Sequence, residues 1–123
     1  MNSVLAVAYI KGLQSRDVAC SVKHFAVNNQ ETNRTTVDVE CSERALREIY
    51  LPAFKAAVQE GGALTVMAAY NKFRGEFCAE NNYLVCKILR NEWGFDGVYV
   101  TDGEPPIARF LLWRQAWIWR WAR

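Results

Sequence analysis

The chain has 123 residues, 51% hydrophobic and 23% charged, a length and balance that support one modest domain with a buried core. Lys and Arg number 15 against 13 Asp and Glu, and the two signs are interleaved, so the net charge of +2 indicates no surface for nucleic acid. A single histidine and four cysteines without CxxC spacing argue against a Cys/His zinc site, and no run of about 18 apolar residues marks a membrane span.

The first expected element is a helix over residues 4–11, stopped by Gly12. A short apolar, β-branched run at 18–22 reads as a strand. Residues 28–34 are too polar for a core and too short for a linker; they read either as a loop over a polar pocket or as a merely solvated loop. A helix follows over 43–59, with Leu46, Ile49, Tyr50, Phe54, Ala57 and Val58 recurring at three- and four-residue steps. Ser42 is its expected N-cap, Gly61 and Gly62 its stop, and Pro52 should kink or divide it. Strands at 64–69 and 98–101 flank a helix over 82–92 that ends near Gly94. The order α-β-α-β-α-β, with short apolar runs bounded by glycine, predicts an α/β fold with parallel strands buried on both faces.

Cys20, Cys41, Cys78 and Cys86 are expected to be buried free thiols, because the chain is not a small disulfide-dense scaffold; this leans toward a cytoplasmic compartment. No signal peptide pattern opens the sequence.

Each expected strand delivers polar groups at its exit: Lys23 and His24 after the first, Tyr70 and Asn71 after the second, Asp102 after the third. In parallel α/β architectures chemistry gathers at the carboxyl ends of strands, where successive loops converge. Singly, each group has a plain alternative. Lys23 and His24 could open a solvated loop, Tyr70 could sit in the core, and Asp102 could cap a following helix. Three exits supplying such groups to one rim favour a site.

The runs KHFAVNNQETNR (23–34), ERALREIYLPAFKAAV (43–58), VMAAYN (66–71) and NEWGFDGVYVTD (91–102) resemble glycoside hydrolase family 3, most closely its β-glucosidases. Several long motifs in the family's order, covering about residues 3–102, make the resemblance specific. It implies that residues 1–102 are a partial (β/α)₈ TIM-barrel segment of about three βα units, since a whole barrel takes about 250 residues. It further implies a retaining O-glycosyl hydrolase cutting terminal β-D-glucosidic or similar bonds, with Asp102 as nucleophile. Lys23 and His24 would bind hydroxyls of the sugar at the cleavage point, Tyr70 with Met67 would lie beside the nucleophile, and Arg34 would reach the sugar. The implied partner is a β-linked glycoside or oligosaccharide, with no metal or organic cofactor. In such chemistry one carboxylate attacks the anomeric carbon while a second carboxylic acid, about 5–5.5 Å away, protonates the leaving oxygen. Lys23 nearby would keep Asp102 ionised. A non-catalytic carbohydrate-binding or interaction fragment using Lys23, His24 and Tyr70 is the alternative.

Two parts of the family pattern are missing. The acid/base is expected from a second domain, which nothing after Asp102 resembles, and further Asp and Arg sugar contacts would fall before residue 1. Glu31, Glu40 and Glu80 sit in no family acid/base motif. Residues 103–123 change character, holding four of the five tryptophans and one acidic residue. As a membrane-surface segment they lack a clean helical face, because Trp119 and Trp121 turn away from Trp113 and Trp117. A shifted reading frame accounts for them better. The family continues Asp-Trp-Gly-Ala, and loss of one T from TGG-GGA-GCN yields Gly-Glu-Pro, as at residues 103–105. Read one base earlier, the codons of residues 115–121 permit Gly-Leu-Asp-Leu-Glu-Met, the family's later sequence.

Overall fold

The computed structural model describes residues 2–102. Helix α1 (Asn2–Gln14) leads into strand β1 (Ser21–Phe25), and strand β2 (Asp38–Val39) follows the polar loop. Helix α2 (Glu43–Ala45) continues as a π-helical turn (Leu46–Tyr50) and then as helix α3 (Pro52–Gln59). Strand β3 (Thr65–Ala68) is followed by two two-residue strands, β4 (Lys72–Phe73) and β5 (Glu76–Phe77). The π-helix α4 (Tyr83–Glu92) and strand β6 (Val98–Val100) complete the described residues.

The main sheet has the order β1-β3-β6, and both pairings are parallel. Thr65 aligns with Ser21 on one side and Val98 on the other, so the three strands end at one rim. Helical crossovers lie between successive strands, which gives the expected α/β architecture.

The 43–59 segment shows how local chemistry sets these boundaries. The Ser42 hydroxyl accepts the Ala45 amide at 3.2 Å, capping the start. Pro52 has no amide to give to the helix before it, so regular helix breaks at Leu51 and restarts with Pro52 in its first turn. The Leu51 amide bonds to the Leu46 carbonyl, the wider spacing of a π turn. Gly62, at φ +65°, ends the unit after the Gly61 amide has bonded to the Ala56 carbonyl. Gly97 serves packing instead: a Cβ there would lie 2.2 Å from the Leu64 carbonyl oxygen.

The main core lies under this sheet and is built around Phe25, which is fully buried. Its ring meets Phe54, Trp93 and Tyr99 edge-on, with centroids 5.2, 5.8 and 6.4 Å away. Leu46 from the π turn, Val66 from β3, and Leu84, Ile88 and Leu89 from α4 close around it. A smaller cluster of Ile10, Ala57 and Ala63 joins α1 to α3.

Several sequence expectations are corrected. The first strand runs from Ser21 to Phe25 rather than over 18–22, because its register is set by pairing with β3, and Val18 is left exposed. Lys23 and His24 therefore lie within the strand's last residues. Helix α1 passes through Gly12, a cost of about 1 kcal/mol that its neighbours absorb, and stops at a turn where Asp17 has φ +58°. Ile49 is 70% exposed despite matching the apolar period, since the π turn rotates it off the buried face. The sheet is not buried on both faces: Val98 and Ser21 are exposed, and β1 and β6 are unpaired edges among the described residues. Of the cysteines only Cys78 is buried; Cys20, Cys41 and Cys86 are half-buried.

The small second sheet, β2-β4-β5, was not expected from the sequence. Its β4–β5 hairpin turns on Arg74 and Gly75, both at positive φ, so the Gly of Phe-Arg-Gly-Glu-Phe was the available signal. Residues 103–123, including the expected Trp-rich tail, lie outside the described residues.

Candidate active site

Parallel pairing carries the exits of β1, β3 and β6 to one rim, and the expected site residues cluster there. His24 sits one residue before the end of β1, and Asp102 lies two residues past β6. The His24 Nε2 nitrogen is 2.9 Å from the Asp102 Oδ2 oxygen, with the side chains 29% and 25% exposed. The pair is thus partly sheltered yet open to a ligand. The contact runs through Oδ2, and among the described residues no ion pair engages the other carboxylate oxygen of Asp102.

Lys23 is exposed, and among the described residues its ammonium makes no ion pair. The basic side chain in contact with Asp102 is that of His24. Lys23 and His24 are joined by a cis peptide, as are Phe25 and Ala26, in the stretch where β1 slips register against β3.

Tyr70 follows β3 and is half-buried, with the Arg34 guanidinium 4.8 Å from its ring centroid. Arg34 is held from the other side by Glu31, Nη1 to Oε2 at 2.6 Å. The polar 28–34 loop therefore folds toward the exit of β3, and Glu31 is engaged as the partner of Arg34. Met67 is half-buried in β3 and aligns with Val100 of β6, two residues before Asp102. The structure thus forms two contacts from the expected set, His24 with Asp102 and Arg34 with Tyr70.

Below the rim lie the buried side chains of Asn71 and Cys78, whose mutual contact the sequence did not indicate. Asn71 is fully buried, and its amide Nδ2 lies within bonding distance of the Ala26 carbonyl at 3.3 Å, the Lys72 carbonyl at 3.1 Å and the Cys78 sulfur at 3.4 Å. Burial pushes the Cys78 thiol up to about 11. Nothing in the local spacing links Cys78 to Ala26, 52 residues away, so this contact has no sequence signal. Among the described residues no group of three or more His, Cys, Asp or Glu is placed to hold a metal ion.

Comparisons with known proteins agree with this architecture. A β-glucosidase of Bacteroides ovatus is 54% identical over 102 residues, which cover 83% of this chain and 14% of that protein. An exo-α-(1→6)-L-arabinopyranosidase of Bifidobacterium longum is 48% identical over 97 residues, 79% of this chain and 13% of its own. The structure of β-glucosidase 3B from Thermotoga neapolitana in complex with glucose superposes with a TM-score of 0.78 at 48% identity, over 84% of this chain and 15% of that one. The chain therefore spans about one seventh of the length of the relatives it matches. The family model described as the glycosyl hydrolase family 3 N-terminal domain matches residues 1–107, and the chain belongs to that family.

Proposed function

We propose that this chain is the nucleophile-bearing segment of a retaining glycoside hydrolase acting on terminal β-D-glucosides or similar sugars. The observation that carries the reading is the His24–Asp102 contact at 2.9 Å, made at the exits of two parallel strands. One carboxylate oxygen of Asp102 is held by the imidazole, and the other attacks the anomeric carbon. The bond to the leaving oxygen breaks as a second carboxylic acid protonates it, giving a glycosyl ester that water then hydrolyses. Lys23 and the remaining face of His24 donate to sugar hydroxyls, Tyr70 and Met67 line the floor near the nucleophile, and Arg34 reaches the ring from its seat on Tyr70. Fixed donors of this kind hold the sugar for in-line attack.

In this reading residues 1–102 are part of a (β/α)₈ barrel, with the acid/base supplied by a second domain. The edges of β1 and β6, unpaired among the described residues, and the exposed Val4, Leu5 and Tyr9 of α1 are surfaces that further strands and helices would cover. These 123 residues produced alone should accordingly be inactive. Residues 103–123 are proposed to be a frameshifted tail; a coding DNA that reads Gly103 onward with no family sequence in an adjacent frame would remove that proposal.

The test is a graft. Residues 1–102 replace the matching segment of the B. ovatus β-glucosidase, and the product is assayed on an aryl β-glucoside. Turnover is expected, with a 2-fluorosugar inactivator labelling Asp102 and Asp102→Asn abolishing activity. Turnover that survives Asp102→Asn would sink the assignment. Measurable turnover by the isolated chain, lost with the same substitution, would overturn the claim that it is inactive alone.

A further inference from the structure

Asn71 and Cys78 are buried and Tyr99 is half-buried; the proposed chemistry uses none of these polar groups, and they connect the two strand exits that carry His24 and Asp102. Ala26 lies two residues after His24, and its carbonyl lies within reach of the Asn71 amide at 3.3 Å and the Cys78 thiol at 3.4 Å. The preceding carbonyl, of Phe25, is held by the Ala69 amide at 2.8 Å. Tyr99 lies three residues before Asp102, and its hydroxyl donates to the Cys78 carbonyl at 2.9 Å. The Cys78 amide in turn donates to the Asn71 carbonyl at 3.0 Å. Cys78 therefore bonds by its side chain to the exit of β1 and by its backbone oxygen to β6.

We infer that Asn71, Cys78 and Tyr99 are positioning residues, a buried strut that sets the separation of His24 and Asp102. The inference deepens the glycosidase reading and rests on it for the role of Asp102. Burial keeps both strut hydrogens in place: the Cys78 thiol is pushed up to about 11, and the Tyr99 phenol is pushed well above its ordinary range. A network whose donors stay protonated across the working pH range holds a fixed length. Loss of either donor frees a strand exit, and displacement on the order of 1 Å at a reacting pair costs as much as about 100-fold in rate.

His24 is the single histidine of the chain, so one imidazole spectrum reports the pair without assignment ambiguity. In the ¹⁵N-labelled 123-residue chain, Asp102→Ala, which leaves no acceptor for the imidazole, defines the Nε2 signal of the broken contact. Tyr99→Phe and Cys78→Ala should move the signal toward that position while the amide signals of Ile10 and Ala57 stay in place. Cys78→Ser, which keeps a donor facing Ala26, should return it toward the parent. Folded Tyr99→Phe and Cys78→Ala chains with the parent imidazole signal would overturn the inference, as would a Cys78→Ser chain displaced as far as Cys78→Ala. If Cys78→Ala fails to fold, Tyr99→Phe decides, since it removes one oxygen and no packing volume. In the grafted enzyme, Tyr99→Phe should lower kcat about tenfold with KM unchanged, and an unchanged kcat counts against the strut. A graft that is inactive while the parent imidazole signal and its response to Tyr99→Phe persist would remove the glycosidase reading and leave the strut standing.

Discussion

The imidazole of His24 and the carboxylate of Asp102 meet at 2.9 Å across the middle strand of a three-stranded sheet. Neither residue has a local reason to approach the other. The contact exists because β1 and β6 both pair in parallel with β3, which brings their carboxyl ends to one side. A hydrogen bond to a charged group contributes about 1.5–3 kcal/mol. In the grafted enzyme His24→Ala should therefore lower kcat/KM by about 10- to 100-fold, measured on an aryl β-glucoside. A loss under about threefold would mean that the contact does not orient Asp102 for the proposed chemistry.

Asn71 offers a stability prediction of a different kind. Its amide lies against the buried carbonyl of Ala26 and the half-buried carbonyl of Lys72, so Asn71→Leu leaves them short of a donor at about 1–3 kcal/mol. Asn71→Asp should be worse at neutral pH, because an ionised carboxylate would face those same oxygens. Urea unfolding at pH 7 and pH 4 checks both points. The Asp variant should recover part of its deficit at the lower pH, where protonation supplies one donor. An Asp variant as stable as the parent at pH 7 would contradict the donor role.

Cys78 should resist modification. Its thiol is buried and pushed up to about 11, so at pH 8 a disulfide reagent should label Cys20 well before Cys78. The sign of the alkaline effect follows from the same shift. A folded-state value above the unfolded one means the native chain holds the proton longer, so the contribution is complete below the ordinary thiol range. It falls away as pH rises through about 11, by about 2–3 kcal/mol in all. Chemical denaturation between pH 8 and 11 should show this loss, and Cys78→Ser should flatten it.

Arg47 predicts the acid side. It pairs with Glu43 at 2.6 Å and Glu92 at 2.6 Å, while Tyr83 donates to Glu43 and Arg74 approaches it at 3.3 Å. The Tyr83 hydrogen bond first, and then Arg47, hold Glu43 below its ordinary range, and Arg47 does the same for Glu92. Carboxyl groups lowered in the folded state contribute stability above the ordinary carboxylate range and lose it as pH falls through their folded values. Glu80, raised by burial and then by Glu76, works with the opposite sign and blunts the slope. Because the network is largely exposed, Arg47→Met should cost only about 0.5–1 kcal/mol, and less in high salt. Thermal melts in low and high salt test it; a loss that is independent of salt would point to packing of the Arg47 stem instead.

The sequence by itself determined what local chemistry controls. Ser42 caps, Pro52 divides, and Gly62 ends a helical unit whatever surrounds them, and the apolar runs near 65–68 and 98–100 announced their strands. The rim was legible too, since an exit residue is placed by its strand. Only tertiary structure decided what depends on a distant partner. The first strand moved onto Lys23 and His24 because β3 fixes its register, and two-residue strands such as β4 and β5 are too short to carry a period. The contact of His24 with Asp102, and the bonds from Cys78 to Ala26 and from Tyr99 to Cys78, join segments far apart in the chain. Such contacts are set by packing geometry, which a residue's neighbours in sequence do not encode.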